Sequence, residues 1–232
     1  MKAADRIEAI FSRLAAANPE PKTELDAHNA YTLLVAVVLS AQATDASVNK
    51  ATRDLFPVVD TPAKMVALGE AALSEGIKSI GLFKTKAKNV IALSEALIAK
   101  HGGRVPHDRE ALEALPGVGR KTANVVLNVV FGEPTMAVDT HVFRVSNRIP
   151  LASGKTPLEV ELGLLKIIPA RYAQNAPHLL ILLGRYVCKA RAPECGKCGI
   201  AEICRWEGKH RERNPQPSSS EARFARASGR GG

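Results

Sequence analysis

The chain has 232 residues, 46% of them apolar and 24% charged, the balance of a folded protein of one or two domains and not of a disordered or fibrous chain. Lys and Arg (32) outnumber Asp and Glu (23), and the resulting net charge of +9 points to an anionic polymer, most often nucleic acid, as partner. The longest apolar run, Tyr31 to Leu39, is about half of the roughly 20 residues a membrane helix needs. Charged residues from Lys2 to Arg13 leave no room for an export signal, so a membrane or secreted protein is not expected.

Helical spacing runs through almost the whole chain. Ile7, Ile10, Phe11 and Leu14 recur at i, i+3, i+4 and i+7 and predict an amphipathic first helix, ended by Asn18-Pro19. Residues 31–39 are apolar all round, as in a helix buried at the centre of a bundle. Further helices are predicted at about 64–74, 86–100, 109–114, 120–131, 140–149, 157–168 and 177–187. Thr61-Pro62, Asp108 and Thr156-Pro157 read as helix starts, Gly102-Gly103 and Gly132 as stops. No alternating strands and no internal repeat are found, and the expected class is all-α. From Asn214 the chain turns to Pro, Ser, Arg and Gly, and residues 214–232 are expected to be a disordered basic tail.

Leu115-Pro116-Gly117-Val118-Gly119 lies between two predicted helices. Pro116 sets φ entering the turn, Gly117 and Gly119 permit positive φ and close approach, and the unpaired N–H groups opening the next helix suit one backbone phosphate. The full run LPGVGRKTANVVL matches the helix–hairpin–helix motif of DNA-binding proteins. Lys121 stands in the first turn of the second helix, where the positive helix end and Arg120 both disfavour an ammonium ion, so that it reads as an amine nucleophile as well as a phosphate contact. Asp139, in AVDTH, reads as the N-cap of the following helix and as a carboxylate able to move protons or steady a developing sugar cation.

All four cysteines fall within 188–204, spaced Cys188-x6-Cys195-x2-Cys198-x5-Cys204. Disulfides are disfavoured by the missing export signal. Zinc usually recruits two short-spaced pairs, whereas only Cys195 and Cys198 form one here; four thiolates without a nearby histidine also suit a [4Fe-4S] cluster. Lys189 and Arg191 in the first loop, with Arg185 upstream, are placed to meet DNA phosphates or to form a solvated surface loop.

LSAQATD at 39–45, LPGVGRKTANVVL at 115–127, AVDTH at 137–141 and the cysteine spacing together resemble the endonuclease III family of helix–hairpin–helix DNA glycosylases, over about residues 5–210. The resemblance implies a six-helix barrel over 22–133 and a [4Fe-4S] cluster domain built from 1–21 with 134–210. Lys121 and Asp139 would then face each other across the cleft, and Cys188, Cys195, Cys198 and Cys204 would hold the cluster. It further implies a bifunctional glycosylase and AP lyase acting, as a cytoplasmic monomer, on double-stranded DNA with oxidised pyrimidines or abasic sites. Such an enzyme flips the damaged nucleotide out of the stack. Gln42 and Leu82 would fill the gap; Gly117, Val118, Gly119, Arg120, Arg144, Arg185, Lys189 and Arg191 complete the expected DNA contacts.

The adenine-specific relatives carry a glutamate in the helix corresponding to 31–39, a non-nucleophilic residue in place of the lysine, and an extra C-terminal domain. Here no Asp or Glu occurs between Asp26 and Asp45, and Lys121 is present. A non-catalytic DNA-holding module would need neither Lys121 nor Asp139. Two features depart from the family pattern: Leu183 stands where a histidine is expected, and the tail, which carries seven basic and three acidic side chains from 205 onward, is longer and is expected to add non-specific DNA affinity.

Overall fold

The structure, a computed structural model, describes residues 1–209. The tail at 214–232 lies outside the described residues. Among the described residues there is no strand, in agreement with the helical periodicity.

The first hydrophobic core grows around α2 (Ala30–Leu39). Asn29 caps it: its Oδ1 accepts from the Thr32 N–H at 2.9 Å while Thr32 Oγ1 accepts from the Asn29 N–H at 3.0 Å, a reciprocal box that fixes where the helix begins. Every residue from Tyr31 to Leu39 is buried, which is why the stretch carries no polar face. Around it pack α3 (Asp45–Thr52), α4 (Pro62–Leu68), α5 (Glu70–Gly76), α6 (Phe83–His101), α7 (Arg109–Glu113) and α8 (Arg120–Phe131). Apart from Thr32, the buried side chains of α2 are apolar, except that the Tyr31 hydroxyl meets Ser94 Oγ at 2.6 Å; burial pushes the Tyr31 phenol well above its ordinary range.

Two elements differ from the sequence expectation. α3 was absent from the periodicity because only Val48 and Thr52 of its eight residues are buried, and its start rests on Thr44, whose Oγ1 accepts from the Ser47 N–H. The single helix expected at 64–74 is two, broken at Gly69, whose φ of +80° serves as C-cap of α4 and entry to α5. Taken as one broken helix, α4–α5 brings the number around the first core to six.

The second core unites the chain's start with its later part. α1 (Ala3–Ala17) buries Ile10, Phe11 and Leu14 against α9 (Thr140–Arg148), α10 (Pro157–Ile167) and α11 (Ala176–Leu182). Phe11 stacks on Tyr172 with centroids 5.9 Å apart. α11 continues as a π-helical turn, Leu183–Val187, that delivers Cys188. Beyond it the described chain has only short turns, so its backbone polar groups need side-chain partners. Arg6, only 4% exposed, supplies one set: Nε donates to the Ile203 carbonyl at 2.9 Å, Nη1 to Pro150 at 3.1 Å, and Nη2 to Ile149.

Candidate active site and cysteine centre

The hairpin closes through Val118 N–H to the Leu115 carbonyl at 3.1 Å. Gly117 has φ +77°, which favours glycine, and a Cβ there would sit 3.0 Å from Asn89 Cβ and Nδ2, so that the Asn89 side chain would have to give way. Gly119 is the N-cap of α8 and offers no capping side chain; a Cβ on it would meet open space. The first N–H groups of α8 are thereby left facing solvent without an intrahelical acceptor, the arrangement a phosphate needs. Val118 differs: its side chain is buried in the first core, so only its backbone borders that surface.

Lys121, second residue of α8, is exposed and has no hydrogen-bond or ion-pair partner among the described residues. Asp139 caps α9, Oδ1 accepting from the Val142 N–H at 2.8 Å, which leaves Oδ2 available. Both line one open cleft of about 780 Å³, with Ser40, Gln42, Asp45, His141 and Arg185. A smaller recess also borders both side chains and is lined by Glu24 and His178, whose ordinary pKa is lowered by burial, so that a neutral imidazole sits there.

Gln42 and Leu82 share an uncommon backbone. With φ of +54° and +58° they are the only non-glycine residues of positive φ among the described residues, and Leu82 is 61% exposed. A branched side chain held in the left-handed region and in water stores strain and wastes apolar surface, features that concentrate at functional sites.

The other expected DNA contacts divide. Arg191 is exposed in the loop after Cys188. Lys189 is exposed and paired with Glu194. Arg185 pairs with Asp45 at 2.8 Å and with Glu24. Arg144 spends its guanidinium on backbone, donating to the Gly184 carbonyl at 2.7 Å and to Cys188 at 3.2 Å, with His141 Nδ1 accepting at 3.2 Å. Arg120 is turned onto Glu161 of α10. Sequence reasoning missed Asp45, His178, Glu161 and Arg148. Glu161 left one signal, a carboxylate beside Val160 on the apolar side of α10.

Cys188, Cys195, Cys198 and Cys204 all line one cavity, and the rest of its wall is apolar except for Lys209: Ile149, Leu183, Val187, Pro193, Ile200, Ala201 and Trp206. No carboxylate or imidazole enters, and no three His, Cys, Asp or Glu side chains among the described residues, these cysteines included, are set to hold a single metal ion. Four thiols around an apolar hollow are the donor set of an iron–sulfur cluster, so the residues fit that group. Hydrogen-bond donors already face the sulfurs: Arg148 Nη1 lies 3.7 Å from Cys188 Sγ, and the Trp206 N–H 3.5 Å from Cys204 Sγ. Arg148 also donates to the Lys189 and Ala190 carbonyls at 2.5 and 2.8 Å and lies 4.7 Å over the Trp206 ring. Leu183, where a histidine was expected, is buried in this wall and its carbonyl accepts from the Cys188 N–H at 2.6 Å.

Two helical lobes with a glycine hairpin and a cleft of this make define a class: residues 35–170 match the HhH-GPD superfamily of base excision DNA repair proteins. Within it, the chain belongs to the endonuclease III family. It is 60% identical over 198 residues to endonuclease III of Rickettsia conorii, covering 85% of this chain and 94% of that one, and 54% identical over 209 residues to endonuclease III of Escherichia coli, covering 90% and 99%. Among solved structures it superposes, with a TM-score of 0.85 and 47% identity, on a trapped endonuclease III–DNA covalent intermediate in an estranged-adenine complex, covering 92% of this chain and all of that one. No helix among the described residues is long and apolar enough to cross a membrane.

Proposed function

We propose that Lys121 and Asp139 carry the chemistry of this chain, a base excision repair DNA glycosylase with AP lyase activity, and that its substrates are duplexes containing oxidised pyrimidines of the thymine glycol type or abasic sites. The observation that carries the reading is a solvent-facing lysine, unpartnered among the described residues, sharing a cleft with an N-capping carboxylate, in a chain whose relative was trapped covalently on DNA.

The lysine amine, in its neutral form, attacks C1′ of the extruded nucleotide; the base departs with a proton, and opening of the sugar ring gives an imine between Nζ and C1′. The positive charge on that imine acidifies the C2′ proton, whose removal expels the 3′ phosphate and breaks the strand. Asp139, which lines the same cleft, serves proton transfer and the developing sugar cation. Gln42 and Leu82 enter the gap in the duplex, and the α8 amides with Gly117 and Gly119 hold one phosphate.

The lobes of this reading are 22–133 and 1–21 with 134–210, of which residue 210 lies outside the described residues. Cys188, Cys195, Cys198 and Cys204 would hold a [4Fe-4S] cluster, which, closed by four protein ligands, supplies a scaffold for the 189–194 loop and leaves no position for substrate. The protein would work in the bacterial cytoplasm on the chromosome.

The test is borohydride reduction during reaction with a duplex carrying one thymine glycol. Wild type is expected to form a covalent protein–DNA adduct and Lys121→Ala none. Cleavage by wild type without an adduct contradicts the imine; binding with neither reveals a DNA-holding module.

A further inference from the structure

Arg120 is the residue before Lys121, and in sequence it reads as one more phosphate contact. Its side chain goes elsewhere. Nε and Nη2 donate to Oε2 and Oε1 of Glu161 at 2.9 and 2.8 Å, the two parallel bonds that a guanidinium and a carboxylate make best. The partners belong to different cores. α8 sends Ala123, Val126 and Leu127 into the first core, whereas α10 sends Val160 and Leu164 into the second. Glu161 itself is sealed, its side chain 4% exposed, while Arg120 is 39% exposed. Its hydrogen bonding to the Glu161 carboxylate leads in holding Arg120 more firmly protonated than usual, and the nearby Glu113 adds to it.

A sealed carboxylate has no tolerable alternative to this partner, since water does not reach it and its own helix offers no other cation within contact. The pair therefore has one geometry, and that geometry fixes the first turn of α8 against α10. Lys121 follows directly on α8, and Pro157, the first residue of α10, lines the same cleft as Lys121 and Asp139.

We infer that Arg120 and Glu161 form a latch between the two lobes that sets the position of the Lys121 amine relative to Asp139. Glu161 is then a positioning residue for imine formation, and Arg120 acts through it instead of through DNA. This rests on Lys121 being the nucleophile, and the experiment separates the two ideas because wild-type trapping is its internal control.

The measurement is the single-turnover rate of borohydride trapping on a saturating abasic-site duplex, beside the dissociation constant for the same duplex and a thermal melt of each protein. The variants are Glu161→Gln, Arg120→Lys and the two combined; both single changes conserve side-chain volume and keep one hydrogen bond possible. A latch predicts that either single change slows trapping by about 10-fold or more while the dissociation constant stays within about 3-fold, because misplacement of a reacting group costs rate and not affinity. It also predicts that the double variant is no slower than the worse single one, because both break the same unit. Several results would overturn the inference. One is Arg120→Lys weakening DNA binding while Glu161→Gln leaves it untouched, which returns Arg120 to the phosphate backbone. Another is lower melting temperatures with wild-type trapping rates, which reduces the pair to a structural contact. Multiplicative losses in the double variant would likewise dissolve the latch. Absence of trapping in wild type would instead remove the nucleophile assignment itself.

Discussion

Around α2 the first core closes mainly with apolar side chains: nine consecutive buried residues, an Asn29–Thr32 box at the start, and helices packed around them. The second core has helices too, but from Cys188 onward its chain makes only short turns, and there the work passes to arginines. Arg6 binds the carbonyls of Ile149, Pro150 and Ile203, Arg144 those of Gly184 and Cys188, and Arg148 those of Lys189 and Ala190. Each satisfies backbone acceptors that no helix claims. The four thiols sit where these bonds converge. One lobe is thus held by burial spread over many residues, and the other by burial together with a few specific groups, whose loss is felt at once. The cleft with Lys121 and Asp139 draws one residue from each: α8 of the first core, the N-cap of α9 from the second.

The sharpest way to break that contrast is at Cys198, which lines the cysteine cavity and whose thiol burial pushes up despite a backbone hydrogen bond from Ile200 that favours the thiolate. Cys198→Ser is expected to yield a colourless protein, to lower the melting temperature by on the order of 10 °C, and to open residues 188–209 to protease while the first core stays resistant. Limited proteolysis with mass mapping checks it; uniform digestion of both lobes would show one cooperative unit. Leu34→Ala, in the fully buried centre of α2, is the counterpart. It is expected to cost about 2–5 kcal/mol in denaturant titration, while the brown colour that the proposed cluster would give is retained. Loss of colour would tie the second site to the first core.

A smaller effect is expected at Lys86, 5% exposed on α6, whose Nζ has no hydrogen-bond partner among the described residues. Burial alone lowers its pKa from the ordinary 10.5. The unfolded chain therefore holds this proton at pH values where the folded one has released it, and stability contributed by this site rises with pH between the folded value and 10.5. Lys86→Met is expected to stabilise by about 1 kcal/mol at neutral pH, with the gain fading toward alkaline pH. Melts across pH check this; a gain independent of pH would mean that the amine finds a partner in solution.

Much of this was legible because helical period and capping chemistry are local. α2, α8 and α10 fall within a residue or two of their expected bounds, and Asp139 caps its helix as its position before Thr140-His141-Val142 indicates. α3 was not, since a helix with two buried residues leaves no period to read. Nor did sequence foretell that Gln42 and Leu82 adopt positive φ, a conformation imposed by the surrounding turns and not favoured by either residue. Arginines were the least legible. A guanidinium reaches in any direction, and its partner is set by folds brought together from far along the chain, as with Arg120 and Glu161, or Arg6 and Ile203.

The central claim, that the amine of one lobe works against the carboxylate of the other, is tested most directly by mapping the reduced adduct. Wild-type protein trapped with borohydride on an abasic-site duplex is digested, and the nucleotide-bearing peptide is identified by mass. The account predicts a single modified residue, Lys121, and loss of the trapped species on Lys121→Ala in a protein that still melts like wild type. A nucleotide fixed to any other amine, or an adduct that survives that substitution, would contradict it.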